Sequence, residues 1–397
     1  MAEVPMQYHV GSPVEGEDFF NRKKEINAIW RALDSDSLLL LAPRRVGKTS
    51  LMKHLVYLAP DKGYQASYLT VEGAADEADF MERLYRAVAE NHPNIMKTFV
   101  DRVADSPLGT WVKRVKKVGA LGVSIELTAE AKKHWPESMT VFGELLSGLE
   151  TPWLLAVDEL PLFILKLLRL DDSGKRAVSF LHNLRELRQN QPGVRWLLAG
   201  SIGLDTVTGR YNMADTINDL RLTTLGPFSV HSADDFLQAL ARSYGLDLHP
   251  DVRSHILSRL QWLLPYYIQL VFSELLDVDN RPIRVTDIDA LFEALLQPAN
   301  KNYFDYWRQR LRESLGTPDD TFATTLLNMA CQEPRGTRQA VLRGALGRQI
   351  RDPEQRDQRL RYLLDVLVND GYLVENGERY QFHFPLLREY WKRRVAP

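Results

Sequence analysis

One stretch near the N-terminus, residues 38–55, constrains the fold of this chain more than any other. It opens with four consecutive leucines, which predict a buried strand, and continues into a basic turn that ends in Gly47-Lys48-Thr49. Apolar residues then recur at helical spacing, which predicts a helix after the turn. This order is typical of a phosphate-binding loop, because the loop N–H groups and the helix N-terminus together favour an anion.

Several residues of this loop have expected roles. Lys48 can reach the β- and γ-phosphates of a nucleotide, and the Thr49 hydroxyl can bind Mg²⁺. The consensus G-x-x-x-x-G-K-[ST] has glycine where this chain has Ala42, and alanine is strained there only if the position needs a positive φ. The predicted nucleotide-binding residues are Pro43, Arg44, Arg45, Val46, Gly47, Lys48, Thr49 and Ser50. The alternative is a chance Gly-Lys-Thr in a basic turn, which the flanking strand and helix argue against.

A second predicted strand ends in two carboxylates. Residues 153–159 read WLLAVDE, so a buried run leads directly into Asp158 and Glu159. Ligands of open α/β sheets lie at the carboxyl ends of the strands. We therefore expect Asp158 to hold Mg²⁺, mostly through water, and Glu159 to orient and polarise an attacking water. Many strands end in acids, but a phosphate loop upstream, with another predicted strand at 64–71 between them, favours the functional interpretation.

A further buried strand is predicted at residues 194–200, and Ser201 follows it. Its hydroxyl could touch the γ-phosphate or the attacking water, or the Gly-Ser pair could be an ordinary turn, and the sequence leaves both open. A short last strand is predicted at 222–228.

Length and pattern predict several domains, because 397 residues are too many for one ordinary core. We predict an N-terminal arm at 1–16, an α/β core at 17–230 with an insertion at about 91–136, and a helical domain at 231–314. The remaining residues, 315–397, show three helices and then a hairpin at Asn376-Gly377, which is the order of a winged helix.

Composition excludes several classes of protein. The net charge of −2 gives no global attraction to nucleic acid or anionic membranes. The single cysteine, Cys331, excludes an intrachain disulfide framework and a cysteine-rich zinc site. The N-terminus lacks the basic and apolar regions of a signal peptide, and charges interrupt the longest apolar stretch. These features predict a cytoplasmic protein that does not span a membrane.

Six segments together resemble the AAA+/STAND-type P-loop ATPases of prokaryotes, in the broad group of archaeal-type ATPases with a C-terminal winged helix. The resemblance covers roughly residues 17–397. The segments are FFNRKKEI, APRRVGKTSL, LLAVDEL, WLLAGSIG, LLPYYIQLV and HFPLLREYW. The family motifs have glycine at three positions that here are Asn21, Ala42 and Leu263.

The resemblance implies an α/β P-loop NTPase fold of the ASCE type, with a parallel sheet in the order 5-1-4-3-2, a helical lid and a winged helix. It implies ATP and Mg²⁺ as cofactors, with Walker A and Walker B motifs, and places Arg22 and Pro265 near the adenine. An arginine that contacts the γ-phosphate, often from a neighbouring subunit, is expected between the Gly-Ser strand and the last strand. Arg210 and Arg221 are the candidates, and an arginine acting in trans would imply a nucleotide-dependent homo-oligomer.

Three functions remain open from the sequence. The first is an ATPase switch or remodeller that acts through a protein partner. The second is a DNA-binding ATPase, similar to replication initiators or transposition regulators, whose support is the arginine-rich stretch at 335–361. The third is a nucleotide-sensing scaffold with little turnover, which the replaced glycines would favour and Glu159 argues against. We expect the first, since arginines are common on helix surfaces.

Overall fold

The structure is a computed structural model of the chain. It describes residues 6–91, 115–118, 124–127, 132–147, 151–171, 173–200, 207–208, 213–278 and 282–396. Their contacts divide the chain into two compact units. The core unit comprises Arg22–Ala42 and Thr49–Thr224, and the helical unit comprises Met1–Asn21, Pro43–Lys48 and Leu225–Pro397.

The core unit is built on a parallel sheet. The strands described before residue 225 are β1 (Leu38–Leu41), β2 (Gln65–Thr70), β3 (Val115–Val118), β4 (Ser124–Leu127), β5 (Trp153–Asp158), β6 (Val194–Gly200) and β7 (Arg221–Thr224). Five of them form one sheet in the order β2-β5-β6-β1-β7, and each neighbouring pair is parallel. Counted among these five alone and read from the β7 edge, the order is 5-1-4-3-2, which confirms the expectation. β3 and β4 pair with each other, and most of the predicted insertion at about 91–136 lies outside the described residues.

Helices cover the sheet. Those described before residue 225 are α1 (Lys23–Leu33), α2 (Lys48–Leu58), α3 (Glu77–Asn91), α4 (Trp135–Ser147), α5 (Leu160–Leu170) and α6 (Lys175–Asn190). Every residue of β5 is buried, as expected for a parallel strand covered on both faces. Three phenylalanines join α3, α5 and α6, with ring centroids of Phe80, Phe163 and Phe180 4.8–5.3 Å apart. Sheet burial and this aromatic cluster hold the strand ends in place.

The last strand is shorter than predicted. The sequence predicts residues 222–228, but β7 ends at Thr224. Its partner is β1, and the four residues of β1 pair with the four residues of β7. Beyond Thr224 the backbone therefore has no ladder to continue, and Pro227 has no N–H to donate.

Most of the helical unit lies after the core strands in the chain. Its helices are α7 (Val230–Ser243), α8 (Pro250–Leu260), α9 (Pro265–Leu276), α10 (Val285–Leu295), α11 (Asn302–Leu315), α12 (Asp319–Ala330), α13 (Gln339–Leu346), α14 (Pro353–Asn369) and α15 (Pro385–Arg394). Three short strands, β8 (Thr337–Arg338), β9 (Leu373–Asn376) and β10 (Arg379–Phe382), form an antiparallel sheet in the order β8-β10-β9. The predicted hairpin at Asn376-Gly377 is thus the connection of β9 to β10.

The end of α14 is tightly packed. The side chains of Arg310 and Asp370 are each 2% exposed and form an ion pair of 3.5 Å. Gly371 follows with φ +81°, and a Cβ atom there would lie 2.4 Å from the ring of Trp262. Trp262 in turn stacks on His383, with ring centroids 4.3 Å apart. Glycine is required here both by the backbone conformation and by the indole.

Within the described part of the chain, no helix combines the length and the apolar character that a membrane crossing needs.

Candidate functional site

The carboxyl ends of the core strands meet at one edge of the sheet. In register, Leu41 lies beside Gly200 and Thr224, while Thr70 lies beside Asp158. The loop that follows β1 and the acids that end β5 therefore emerge at the same edge. This edge is where open α/β sheets bind their ligands.

Thr49 and Asp158, the two predicted metal ligands, are in direct contact. The Thr49 hydroxyl donates a 2.7 Å hydrogen bond to Asp158 Oδ2, and the Glu159 backbone N–H donates a 2.9 Å bond to Asp158 Oδ1. Asp158 is 2% exposed. Mg²⁺ is commonly bound by one or two protein oxygen ligands together with phosphate and water. A hydroxyl and a carboxylate that meet at the end of the phosphate loop fit that requirement.

A third residue, Tyr68 of β2, belongs to this cluster and was not predicted from the sequence. Its hydroxyl donates a 3.3 Å hydrogen bond to Asp158 Oδ2. Burial and then the charge of Asp158 raise the pKa of the Tyr68 phenol, so it stays protonated and remains a donor. The Lys53 ammonium lies 5.5 Å from the centre of the Tyr68 ring. The position of Tyr68 on the strand next to β5 is visible only once the two strands are paired.

The phosphate loop has two left-handed positions. Arg45 has φ 68° and Gly47 has φ 90°, whereas Ala42 is absent from the described residues with positive φ. Alternation of right-handed and left-handed residues points backbone N–H groups into a concave nest that binds anions. The left-handed positions that such a nest requires are thus present at Arg45 and Gly47, and alanine at position 42 carries no strain from a positive φ. Lys48, the first residue of α2, is 6% exposed.

Arg45 is an unusual residue for a left-handed position. A non-glycine residue there costs about 1–2 kcal/mol. Its guanidinium carbon lies 3.8 Å from the ring centre of Tyr266 and 4.5 Å from that of Tyr306. Each such cation–π contact contributes about 0.5–2 kcal/mol, so the pair offsets the backbone cost. Burial raises the pKa of both phenols, and the Arg45 charge opposes that rise.

Positive φ at non-glycine residues is concentrated in the predicted motifs. The described residues of this kind are Asn21, Arg22, Arg45, Glu159 and Gln261. The first four lie in the segments FFNRKKEI, APRRVGKTSL and LLAVDEL. Strained backbone persists where the surrounding structure enforces it, and it is common at functional sites.

The three replaced glycines cause little strain. Ala42 and Leu263 are not among the positive-φ residues, and Asn21 has φ 61°. Asparagine tolerates the left-handed region better than most residues. The Asn21 side chain also donates a 3.0 Å hydrogen bond to Ser232 Oγ. None of these substitutions therefore distorts the backbone at its motif.

Glu159 is held by the start of α5. It is the N-cap residue, with φ 61°, and Pro161 follows in the first turn. Pro161 packs so closely on the end of β6 that a Cβ atom on Gly200 would lie 2.2 Å from its Cδ. Gly200 thus lets α5 approach the sheet closely at the helix start that carries Glu159.

The two residues expected near the adenine lie in different units. Arg22 is the N-cap residue of α1 in the core unit, and its guanidinium donates a 3.0 Å hydrogen bond to Glu25. Burial lowers the pKa of Arg22, and the bond to Glu25 opposes that change. Pro265 is the first residue of α9 in the helical unit.

One arginine candidate lies far from the cluster. Arg221 begins β7 beside Leu38, at the amino edge of the sheet, and its guanidinium lies 3.5 Å from Asp36. It is therefore not brought together with Thr49 and Asp158 in the core unit. Ser201 and Arg210 lie outside the described residues.

The core is a five-stranded parallel sheet in this order, with a phosphate loop after β1 and an acid at the end of β5. This is the α/β fold of a P-loop NTPase. No protein-family model matches the sequence. A comparison with curated proteins also returns no match.

Solved structures do show the same fold. The Walker-type ATPase PABY2304 of Pyrococcus abyssi superposes with a TM-score of 0.62 at 17% identity, covering 95% of this chain and 97% of that one. The ORC2 protein of Aeropyrum pernix, solved as ADPNP–ADP complexes, gives a TM-score of 0.53 at 12% identity, covering 95% and 96%. At these identities the likeness shows the fold. It confirms the P-loop NTPase fold that the resemblance implied.

Proposed function

We propose that this protein binds ATP with Mg²⁺, hydrolyses it, and works as an AAA+/STAND-like molecular switch or remodeller. The observation that carries the proposal is the 2.7 Å hydrogen bond between Thr49 and Asp158. It joins the residue directly after Lys48 to the acid at the end of β5, where a nucleotide-bound metal needs its protein ligands. When bound, Mg²⁺ neutralises charge on the phosphate oxygens.

The roles of the side chains follow from their positions. Residues 43–50 would surround the phosphates, with backbone N–H groups at the nest and Lys48 as the cation. Thr49 and Asp158 would hold Mg²⁺. Glu159, next to Asp158 and fixed at the start of α5, would orient and polarise the attacking water.

Several further assignments are part of the proposal. Arg22 and Pro265 would lie near the adenine. Ser201 would touch the γ-phosphate or the water, and Arg210 or Arg221 would act on the γ-phosphate, in trans if the protein forms a nucleotide-dependent homo-oligomer.

The domain assignment is also proposed. Residues 17–230 would be the ATPase core, 231–314 the helical lid and 315–397 a winged helix, after an arm at 1–16. The order α12, β8, α13, α14, β9, β10 supports the winged helix. We propose that it engages a protein partner in the cytoplasm, which turns the nucleotide state into an output.

A second candidate is a DNA-binding ATPase that uses the basic C-terminal helices. Arg338, Arg348 and Arg351 are exposed, which favours contact with phosphates. Two others are already neutralised, since Arg343 pairs with Asp357 and Arg359 pairs with Asp319. We therefore rank DNA binding below the protein partner. The sensing scaffold ranks third, because Ala42, Asn21 and Leu263 add little strain to the motif backbones.

The deciding experiment measures ATP turnover by the purified chain and by Lys48→Ala, which removes the phosphate-binding ammonium. We expect Mg²⁺-dependent phosphate release from the wild type and none from the variant. Equal release from both would overturn the proposal. Gel filtration with a slowly hydrolysed ATP analogue, repeated with duplex DNA at two salt concentrations, tests self-association and the second candidate together.

A further inference from the structure

The phosphate loop contacts two tyrosines that lie more than two hundred residues later in the chain. Arg45, Tyr266 and Tyr306 all belong to the helical unit. The guanidinium of Arg45 stands over both rings, at 3.8 Å and 4.5 Å from their centres. Tyr266 is 8% exposed, so this arrangement is built into the packing.

The Tyr306 ring is part of a hydrogen-bonded group of aromatic side chains. The Tyr306 hydroxyl lies 3.2 Å from the Tyr267 hydroxyl, which accepts a 2.9 Å bond from Trp307 Nε1. The Tyr372 hydroxyl donates a 2.6 Å bond to the Trp307 carbonyl. Tyr267 also packs on Phe384, with ring centroids 4.1 Å apart. Tyr306 thus belongs to an aromatic network that extends to Tyr372 and Phe384, which flank β9 and β10.

We propose that Tyr266 and Tyr306 are positioning residues that hold the phosphate loop, through Arg45, in the conformation that binds an anion. The inference rests on the proposed nucleotide binding and adds residues outside the loop to it. The nest needs residue 45 in the left-handed region, which most side chains disfavour. Stacking of the Arg45 guanidinium on the two rings stabilises the left-handed conformation, because it holds the side chain of residue 45 in place.

Two substitutions at position 45 separate this role from direct contact with phosphate. Arg45→Ala removes the anchor and keeps the preference against positive φ, so its affinity for a fluorescent ADP analogue should fall about tenfold. Arg45→Gly also removes the anchor but adopts positive φ freely, so it should bind the analogue several-fold more tightly than Arg45→Ala does. If Arg45→Gly binds as weakly as Arg45→Ala, the guanidinium serves the ligand directly and the inference is overturned.

The tyrosines are tested in two backgrounds, the wild type and Arg45→Gly. In wild type, Tyr266→Leu combined with Tyr306→Leu should weaken ADP binding about tenfold, matching Arg45→Ala. In Arg45→Gly the same pair should change affinity little, because glycine needs no anchor. Tyr303→Leu is the matched control, since Tyr303 lies one turn from Tyr306 on α11 and its hydroxyl contacts Glu274. An equal loss of ADP affinity in wild type and in Arg45→Gly would show that the tyrosines do not act through Arg45, and it would overturn the inference.

Hydrogen exchange without nucleotide separates this inference from the proposed function. Amides of the peptide that carries residues 43–48 should exchange faster in the tyrosine double variant than in wild type or Tyr303→Leu. Unchanged exchange would overturn the positioning role even if ADP binds. Faster exchange in the double variant, together with no ADP binding by the wild type, would support the positioning role and overturn only the proposed nucleotide binding.

Discussion

The hydroxyl of Thr49 hydrogen-bonds to Asp158, which lies 109 positions later in the chain, at a distance of 2.7 Å. Thr49 is the second residue of the helix after the phosphate loop, and Asp158 ends β5, which lies two places from β1 in the sheet. The contact exists because parallel strands bring their carboxyl ends to one edge. It brings together the two side chains that we propose as the protein ligands of Mg²⁺.

Substitutions of Thr49 test this pair. Thr49→Val keeps the shape of the side chain but removes the hydroxyl, so we expect ATP turnover to fall by about a hundredfold or more. Thr49→Ser keeps the hydroxyl and should stay within a few-fold of wild type. Turnover measured across a Mg²⁺ titration checks both variants. Similar rates for Thr49→Val and Thr49→Ser would remove the hydroxyl from the metal site.

Glu159 is expected to act on water rather than on nucleotide affinity. Glu159→Gln keeps the size of the side chain and its place at the start of α5 while removing the charge. ATP binding should therefore persist, and hydrolysis should fall by about 10²–10⁴-fold. Equilibrium binding and single-turnover hydrolysis measure the two separately. A variant that turns over ATP like the wild type would contradict the catalytic assignment.

The close approach of α5 to β6 predicts a stability effect at Gly200. A Cβ atom there would overlap Pro161, so Gly200→Ala should lower the free energy of unfolding by about 1–3 kcal/mol. Gly193 precedes the same strand, and nothing lies within 4 Å of a Cβ placed on it. Gly193→Ala is therefore the control and should change stability little. Denaturant unfolding of both variants checks the difference, and equal stabilities would refute the packing argument.

His383 predicts a dependence of stability on pH. Burial lowers the pKa of His383 from its ordinary value of 6.5, so in acid the unfolded chain takes up this proton before the folded one does. Stability should therefore fall as the pH drops below 6.5 towards the folded pKa. His383→Phe keeps a ring against Trp262 and does not titrate.

Denaturant midpoints at pH 7.5 and 5.5 measure this effect. Wild type should lose more stability than His383→Phe between the two conditions. His231→Gln, at a side chain that is 87% exposed, should lose as much as wild type. Parallel losses in wild type and His383→Phe would show that this imidazole does not contribute.

Local sequence patterns predicted the elements that form the site, because each is encoded by a short run. The buried strand before the loop, the helix at Lys48 and the acid-ended strand at Asp158 all have such a signal. The effect of the replaced glycines on the backbone was ambiguous, since the identity of a residue does not give its φ angle. The structure resolves them, with ordinary φ at Ala42 and a tolerated left-handed φ at Asn21.

Contacts between distant positions could not be predicted in this way. Tyr68 reaches Asp158 only because β2 pairs with β5, and Arg45 meets Tyr266 only in the folded helical unit. The sequence also could not tell which end of β7 carries Arg221, because that depends on the register with β1. Strand register and tertiary packing depend on which residues pair with each other, and a single sequence does not show these pairings.

The grouping of residues 43–48 with the helical unit has a consequence for how such chains can change. A recombination that exchanged everything after residue 225 would keep the loop but replace the partners of Arg45. The loop would then need glycine at position 45, or a new pair of aromatic rings, to keep the same backbone. If Tyr266 and Tyr306 anchor the loop as proposed, we expect positions 45, 266 and 306 to be inherited together.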